Sequence, residues 1–169
     1  MEIRGSVALV TGANRGLGAA CCRALLEAGA ATVYAGARDP RSVSTDGVIP
    51  IRLDITSPAD IDAAVARCDD IDLLINNAGI TTGTGMLDDD AIDNARREFE
   101  TNVFGPLAMS RAFAPTLAEN GGGAIVNVLS VLSWFASPNT ALYCAAKAAS
   151  WSLTNALRQE LLAQHTQSF

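Results

Sequence analysis

The chain is predicted to fold as an α/β protein, a doubly wound parallel sheet with strand order 3-2-1-4-5 and helices on both faces. Three observations carry this. Strand-like and helix-like segments alternate along the chain, the strand-like segments are continuous apolar runs, and a glycine-rich turn joins the first strand to the first helix. Continuous apolar strands belong to a sheet covered on both faces by its crossover helices.

In order, Val7 to Val10 is a β-branched and aliphatic run closed by Thr11-Gly12, and Leu17 to Ala28 carries Leu, Ala and Cys at helical spacing before Gly29. Thr32 to Gly36, Val48 to Leu53 and Ile71 to Asn76 follow as the second, third and fourth strands. Ser57-Pro58 opens a helix to about Ala66, with serine as cap and proline at the first helical position. A long helical segment runs from Ala91 to Ala118 and is expected to break or bend near Gly105-Pro106. Ala124 to Leu129 is the fifth strand, and Ala141 to about Gln164 the last helix. The tail from Gln164 to Phe169 lacks the β-branched run of a further strand, so the fifth strand is expected to be an unprotected sheet edge.

At 169 residues and 49% hydrophobic content, the chain is long enough for one domain with a real core, spanning residues 1–169 without linker or repeat. The net charge of −6, with its 12 basic residues scattered, disfavours nucleic-acid binding. The N-terminus lacks the basic-then-apolar plan of a secretory signal, and no apolar stretch reaches a membrane span, so a cytoplasmic location is expected. Cys21, Cys22, Cys68 and Cys144 show no C-x-x-C spacing and are read as small core residues, with no metal site implied.

The turn Gly12-Ala13-Asn14-Arg15-Gly16-Leu17-Gly18 lies where a strand ends and a helix begins. Glycines there allow a tight turn and let a pyrophosphate approach the N–H groups of the helix start, so this segment is read as a nucleotide-phosphate site. At the end of the second strand stands Arg38, and Arg15 sits inside the turn. Two guanidinium groups suit a 2′-phosphate, which favours NADP over NAD, although the neighbouring Asp39 could instead accept from a ribose hydroxyl.

Tyr143 and Lys147 are four residues apart, with Ser130 thirteen positions before the tyrosine. On a helix this spacing sets both side chains on one face, where an ammonium would favour the phenolate of a group that otherwise titrates near 10. Lowered in this way, the phenol becomes a proton donor or acceptor suited to hydride chemistry, and Ser130 supplies a hydroxyl able to polarise a carbonyl.

These motifs together resemble the short-chain dehydrogenase/reductase family, with its Rossmann-like sheet, from about Ser6 to Gln164: TGANRGLG at Thr11 to Gly18, NNAG at Asn76 to Gly79, Asn102 in TNVFGP, GAIVNVLS ending at Ser130, and YCAAK at Tyr143 to Lys147. The resemblance implies a small-molecule alcohol or carbonyl substrate. It also implies proton exchange by Tyr143, a ribose contact by Lys147, and a water relay supported by Asn102. Asp54 and Ile55 would border the adenine, and Asn77, Ala78 and Gly79 would line the cofactor cleft. Asp54 could equally cap the next turn, and Asn76-Asn77 could tie two strand ends. The family commonly pairs its long helix and its tyrosine helix across a two-fold axis, which makes a homo-oligomer an expectation. Against the family's pattern the chain stops 22 residues after Lys147, before two further strands and a substrate lid, and so reads as C-terminally truncated. Two functions are therefore entertained, an NADP-dependent oxidoreductase and a catalytically inactive nucleotide-binding or partner-binding remnant of one.

Overall fold

The computed structural model describes residues 1–169. Its order is β1 (Val7–Thr11), α1 (Gly16–Glu27), β2 (Thr32–Ala37), β3 (Ile49–Arg52), α2 (Pro58–Arg67), β4 (Leu73–Asn76), α3 (Ala91–Phe99), α4 (Gly105–Glu119), β5 (Gly123–Asn127), α5 (Ala141–Glu160) and β6 (Thr166–Ser168). All six strands are parallel, in the order 3-2-1-4-5-6.

The predicted order holds through the first five strands, and the sixth corrects the expectation of an open edge at β5. The tail returns through a short 3-10 turn and a left-handed residue, His165 (φ 58°), and pairs Thr166 with Gly123 and Ser168 with Ile125. Phe169 N–H donates to the Ile125 carbonyl (3.0 Å), its own carbonyl accepts from Asn127 N–H (2.8 Å), and Arg158 Nε donates to the Ser168 carbonyl (2.9 Å). This strand owes nothing to apolar side chains. It forms because the backbone groups of β5 need partners, which any extended segment can supply.

Alternate residues of the strands build two cores. Leu9, Leu74 and Ile125 meet Ile61 of α2 and Met109, Phe113 and Leu117 of α4 on one face. On the other face Ala8, Val10, Val33 and Ile75 pack on Cys22 and Leu25 of α1. Burial pushes the Cys22 thiol up to about 11 and the Cys68 thiol up to about 12, so both serve as small apolar side chains.

The long helical segment is interrupted where the sequence suggested, by a π-helical turn over Glu100–Phe104 immediately before Gly105-Pro106. Ser57 caps α2 as expected, its hydroxyl accepting from the Asp60 N–H. No helix is long and apolar enough to cross a membrane.

Candidate active site

The carboxyl ends of β1 to β4 open into a cleft of about 1070 Å³. Ligands of doubly wound sheets bind at this end, where the crossovers diverge. Of the predicted cofactor residues, Gly12, Asn14, Arg15, Gly16, Leu17, Gly18, Arg38, Asp54, Ile55, Asn77, Ala78 and Gly79 all line it. Ala13 does not: its side chain is fully buried in the α1-side core and its N–H donates to the Gly36 carbonyl (3.0 Å); nor do Tyr143 and Lys147, the latter expected at the ribose.

The floor is tied shut beneath the glycine turn. Thr11 Oγ1 accepts from the N–H groups of Asn77 and Ala78 (both 3.0 Å), while Asn77 Nδ2 donates to the carbonyls of Thr11 (2.8 Å) and Gly12 (3.2 Å). Gly18 is confined by the same knot, since a Cβ there would run into the Gly12 carbonyl and lie 2.5 Å from Asn77 Nδ2. Arg15 occupies the cap position of α1 without giving it a side-chain hydrogen bond, which leaves the first-turn N–H groups to an anion.

Charge around the cleft is arranged unevenly. Asp39 is bound by Arg41 through two guanidinium bonds, Nε to Oδ1 (2.9 Å) and Nη2 to Oδ2 (3.1 Å), and by the Arg41 N–H (3.0 Å), which together hold its carboxyl below the usual range. Arg15 and Arg38 join none of the ion pairs in the chain. Asp54 Oδ1 accepts from Thr56 N–H (3.0 Å) and Thr56 Oγ1 (2.7 Å), which lowers its pKa and makes it a turn cap as well as a lining residue.

Beyond the inner end of the cleft, α5 presents Tyr143 and Lys147. Lys147 is the only lysine in the chain and is almost fully buried. Its Nζ lies 5.6 Å from the centroid of the Tyr143 ring and donates to the Val128 carbonyl (2.7 Å). Burial pulls the lysine's pKa down. The Tyr143 phenol is pushed up by burial, drawn back by the neighbouring Ser130 hydroxyl, and pushed up again by Glu98 and Cys144. In this geometry the phenol is raised overall, not lowered as the spacing to Lys147 suggested. Ser130 Oγ accepts from Leu132 N–H (3.1 Å), which leaves its own proton to donate.

Asn102, in the π turn, spends its side chain on Ile80: Oδ1 accepts from the Ile80 N–H (2.9 Å) and Nδ2 donates to the Ile80 carbonyl (2.8 Å). Its backbone carbonyl accepts from Ser150 Oγ (2.6 Å). Two features here went unread in the sequence, Glu98 and the pairing of Asp39 with Arg41. Glu98 is buried one helical turn before Asn102, and the polar series 94, 98, 102 on an otherwise buried face was the available signal. The Asp39–Arg41 pair, two residues apart across a 3-10 turn, had none.

A parallel-sheet protein with a glycine turn lining its cleft and a Tyr-x-x-x-Lys helix beyond the cleft's inner end has the features of the dinucleotide-binding oxidoreductase class. The short chain dehydrogenase model matches residues 6–166, and the chain belongs to that family. It is 34% identical over 175 residues to an NADP-dependent 3-hydroxy acid dehydrogenase of Schizosaccharomyces pombe, covering 95% of this chain and 68% of that protein. An uncharacterized oxidoreductase of Staphylococcus haemolyticus is 31% identical over 170 residues, covering 95% and 73%. The crystal structure of a short chain dehydrogenase from Burkholderia cenocepacia in complex with NADP superposes with a TM-score of 0.94 at 46% identity, covering 99% of this chain and 71% of that one.

Proposed function

We propose that the chain binds NADP in the cleft and interconverts a small-molecule alcohol and a carbonyl, with Tyr143 exchanging the proton. The observation that carries this reading is the convergence of an uncapped helix start, a glycine that cannot bear a side chain and two unpaired arginines on one cleft. That lining fits a dinucleotide bearing an extra phosphate, and the Burkholderia cenocepacia relative is described as an NADP complex. The first-turn N–H groups of α1 would hold the pyrophosphate, while Arg15 and Arg38 would face the 2′-phosphate. Arg41 neutralises Asp39, so the carboxylate next to Arg38 is screened from such a phosphate.

The bound nucleotide supplies or accepts the hydride. The chain's residues handle the proton and the developing charge. Ser130 donates its free hydroxyl proton toward the substrate oxygen, Tyr143 gives or takes the proton there, and the Lys147 ammonium lies beside the ring to favour phenolate as the proton leaves. Asn102 acts here through position, by fixing Ile80 next to Gly79. NADPH fluorescence titration followed by NADPH oxidation over a panel of carbonyl compounds tests the reading. Binding without turnover, with a Tyr143→Phe variant no worse than wild type, would favour instead a nucleotide-binding remnant, a reading motivated by the share of its relatives' length that the chain covers.

The chain is also proposed to pair through α4 and α5. Phe104, Leu107, Trp151 and Leu153 are exposed on these neighbouring segments, beside a shallow groove lined by Val103, Pro106 and Leu157. Light scattering that returns only the monomer mass would exclude this.

A further inference from the structure

The segment after Gly79 is fastened to α3 and the π turn that continues it by three buried side chains in regular series. Asn102 binds the Ile80 backbone, Glu98 Oε1 accepts from both Thr82 N–H (2.6 Å) and Thr82 Oγ1 (2.7 Å), and Asn94 Nδ2 donates to Thr84 Oγ1 (2.8 Å). Four residues of helix rise about 6 Å and two residues of extended chain span about 6.6 Å, so side chains at 94, 98 and 102 meet positions 84, 82 and 80 in antiparallel register. The strip begins in the cleft, where space is tight. A Cβ added at Gly79 would lie 2.9 Å from Asn102 Oδ1 and 3.9 Å from Lys147 Nζ.

We propose that Glu98 is a positioning residue: as the middle rung between Asn94 and Asn102, it holds residues 80–84 along α3 and thereby fixes Gly79 and Asn102 beside Lys147. A rung alone does not call for a charge. Glutamine would accept the same two bonds through its amide oxygen without a buried carboxylate, whose Oε2 has no hydrogen-bond partner here. Glu98 and Lys147 are the only charged side chains buried in this chain, and neither joins an ion pair. Their signs are opposite. The groups that bear on the Tyr143 phenol are Ser130 from the loop after β5, Glu98 from α3 and Cys144 from α5, while Lys147 lies 5.6 Å from the ring centroid. Behind burial and the Ser130 hydroxyl, the Glu98 carboxylate pushes the Tyr143 phenol up, the direction opposite to that of a cation beside it. Its kinetic consequence rests on the reaction proposed above; the rung and the charge do not.

Three measurements on the full chain test this. Amide hydrogen exchange at Thr82 and Ile80 reads the rung without cofactor or turnover. In Glu98→Ala, exchange there should rise roughly tenfold or more, whereas Glu98→Gln should stay within about threefold of wild type. Should Glu98→Ala fail to fold, Thr82→Val, which deletes only the hydroxyl leg, should raise exchange at Thr82 by at least about threefold. Ultraviolet titration of phenolate, with Tyr143→Phe subtracted to remove Tyr34, reads the charge: Glu98→Gln should move the Tyr143 midpoint to lower pH. Where wild type turns over, the pH limb of kcat/KM should move the same way in Glu98→Gln. Unchanged exchange at Thr82 in the variant that folds, or a Tyr143 midpoint unmoved or raised in Glu98→Gln, would overturn the proposal. A wild-type chain that binds no NADPH would overturn the reaction instead, with exchange and titration still deciding Glu98.

Discussion

Lys147 holds its ammonium 5.6 Å from the centre of the Tyr143 ring while giving its hydrogen bond to the Val128 carbonyl. The pair is joined through the face of the ring and through the loop after β5. Removing the phenolic oxygen should therefore leave the surrounding packing intact. Tyr143→Phe is expected to bind NADPH within about twofold of wild type and to lose roughly 10²- to 10⁴-fold in turnover, the span of general acid–base catalysis. Fluorescence titration and steady-state kinetics check the two halves separately.

The same pair sets a pH response of stability. Burial holds the folded-state pKa of Lys147 below its unfolded value, so between the two the unfolded chain binds more protons and stability rises with pH. Below that window the buried ammonium is a standing cost. Lys147→Met should thus melt higher than wild type at neutral pH, with the difference shrinking as pH rises through the window. Calorimetry from pH 7 upward checks the sign.

Cofactor choice should reside in three side chains. Replacing Arg15 and Arg38 with alanine removes two charge-assisted contacts worth about 1.5 to 3 kcal/mol each, so NADPH affinity should fall at least tenfold while NADH affinity changes little. Arg41→Ala should also weaken NADPH binding, by less, because it unmasks Asp39. Parallel titrations with both nucleotides read the ratio.

Gly18→Ala should disable the cleft more than its size suggests. The added Cβ meets the Gly12 carbonyl and Asn77 Nδ2, and the knot that must yield is the one shaping the glycine turn. A stability loss of about 1 to 3 kcal/mol and loss of nucleotide binding are expected, by denaturant melt and titration.

Removing residues 166–169 should expose the ladder of β5. The shortened chain is expected to aggregate on warming at temperatures where the full chain stays clear, by static light scattering. Arg158→Ala, which loses only the bond to Ser168, should lie between them.

Most of the sheet was readable because its strands are unbroken apolar runs, and the cleft because glycine and arginine occur at the strand ends that face it. β6 was not, since Thr166-Gln167-Ser168 carries no hydrophobic pattern and forms only to satisfy a neighbour's backbone. The Tyr143–Lys147 spacing was legible as shared helix face, yet not as electrostatics: burial raises the phenol first and a carboxylate from α3 adds to it, and both come from distant sequence. Asp54 and Asn77 each turned out to serve two ends, capping or tying while lining the cleft.

That the chain carries a single lysine has a practical side. Its one side-chain amine is that of Lys147, nearly buried beside the Tyr143 ring. An amine-directed reagent can therefore mark only one side chain of this molecule, and protection of it on adding nucleotide would make binding readable by mass alone.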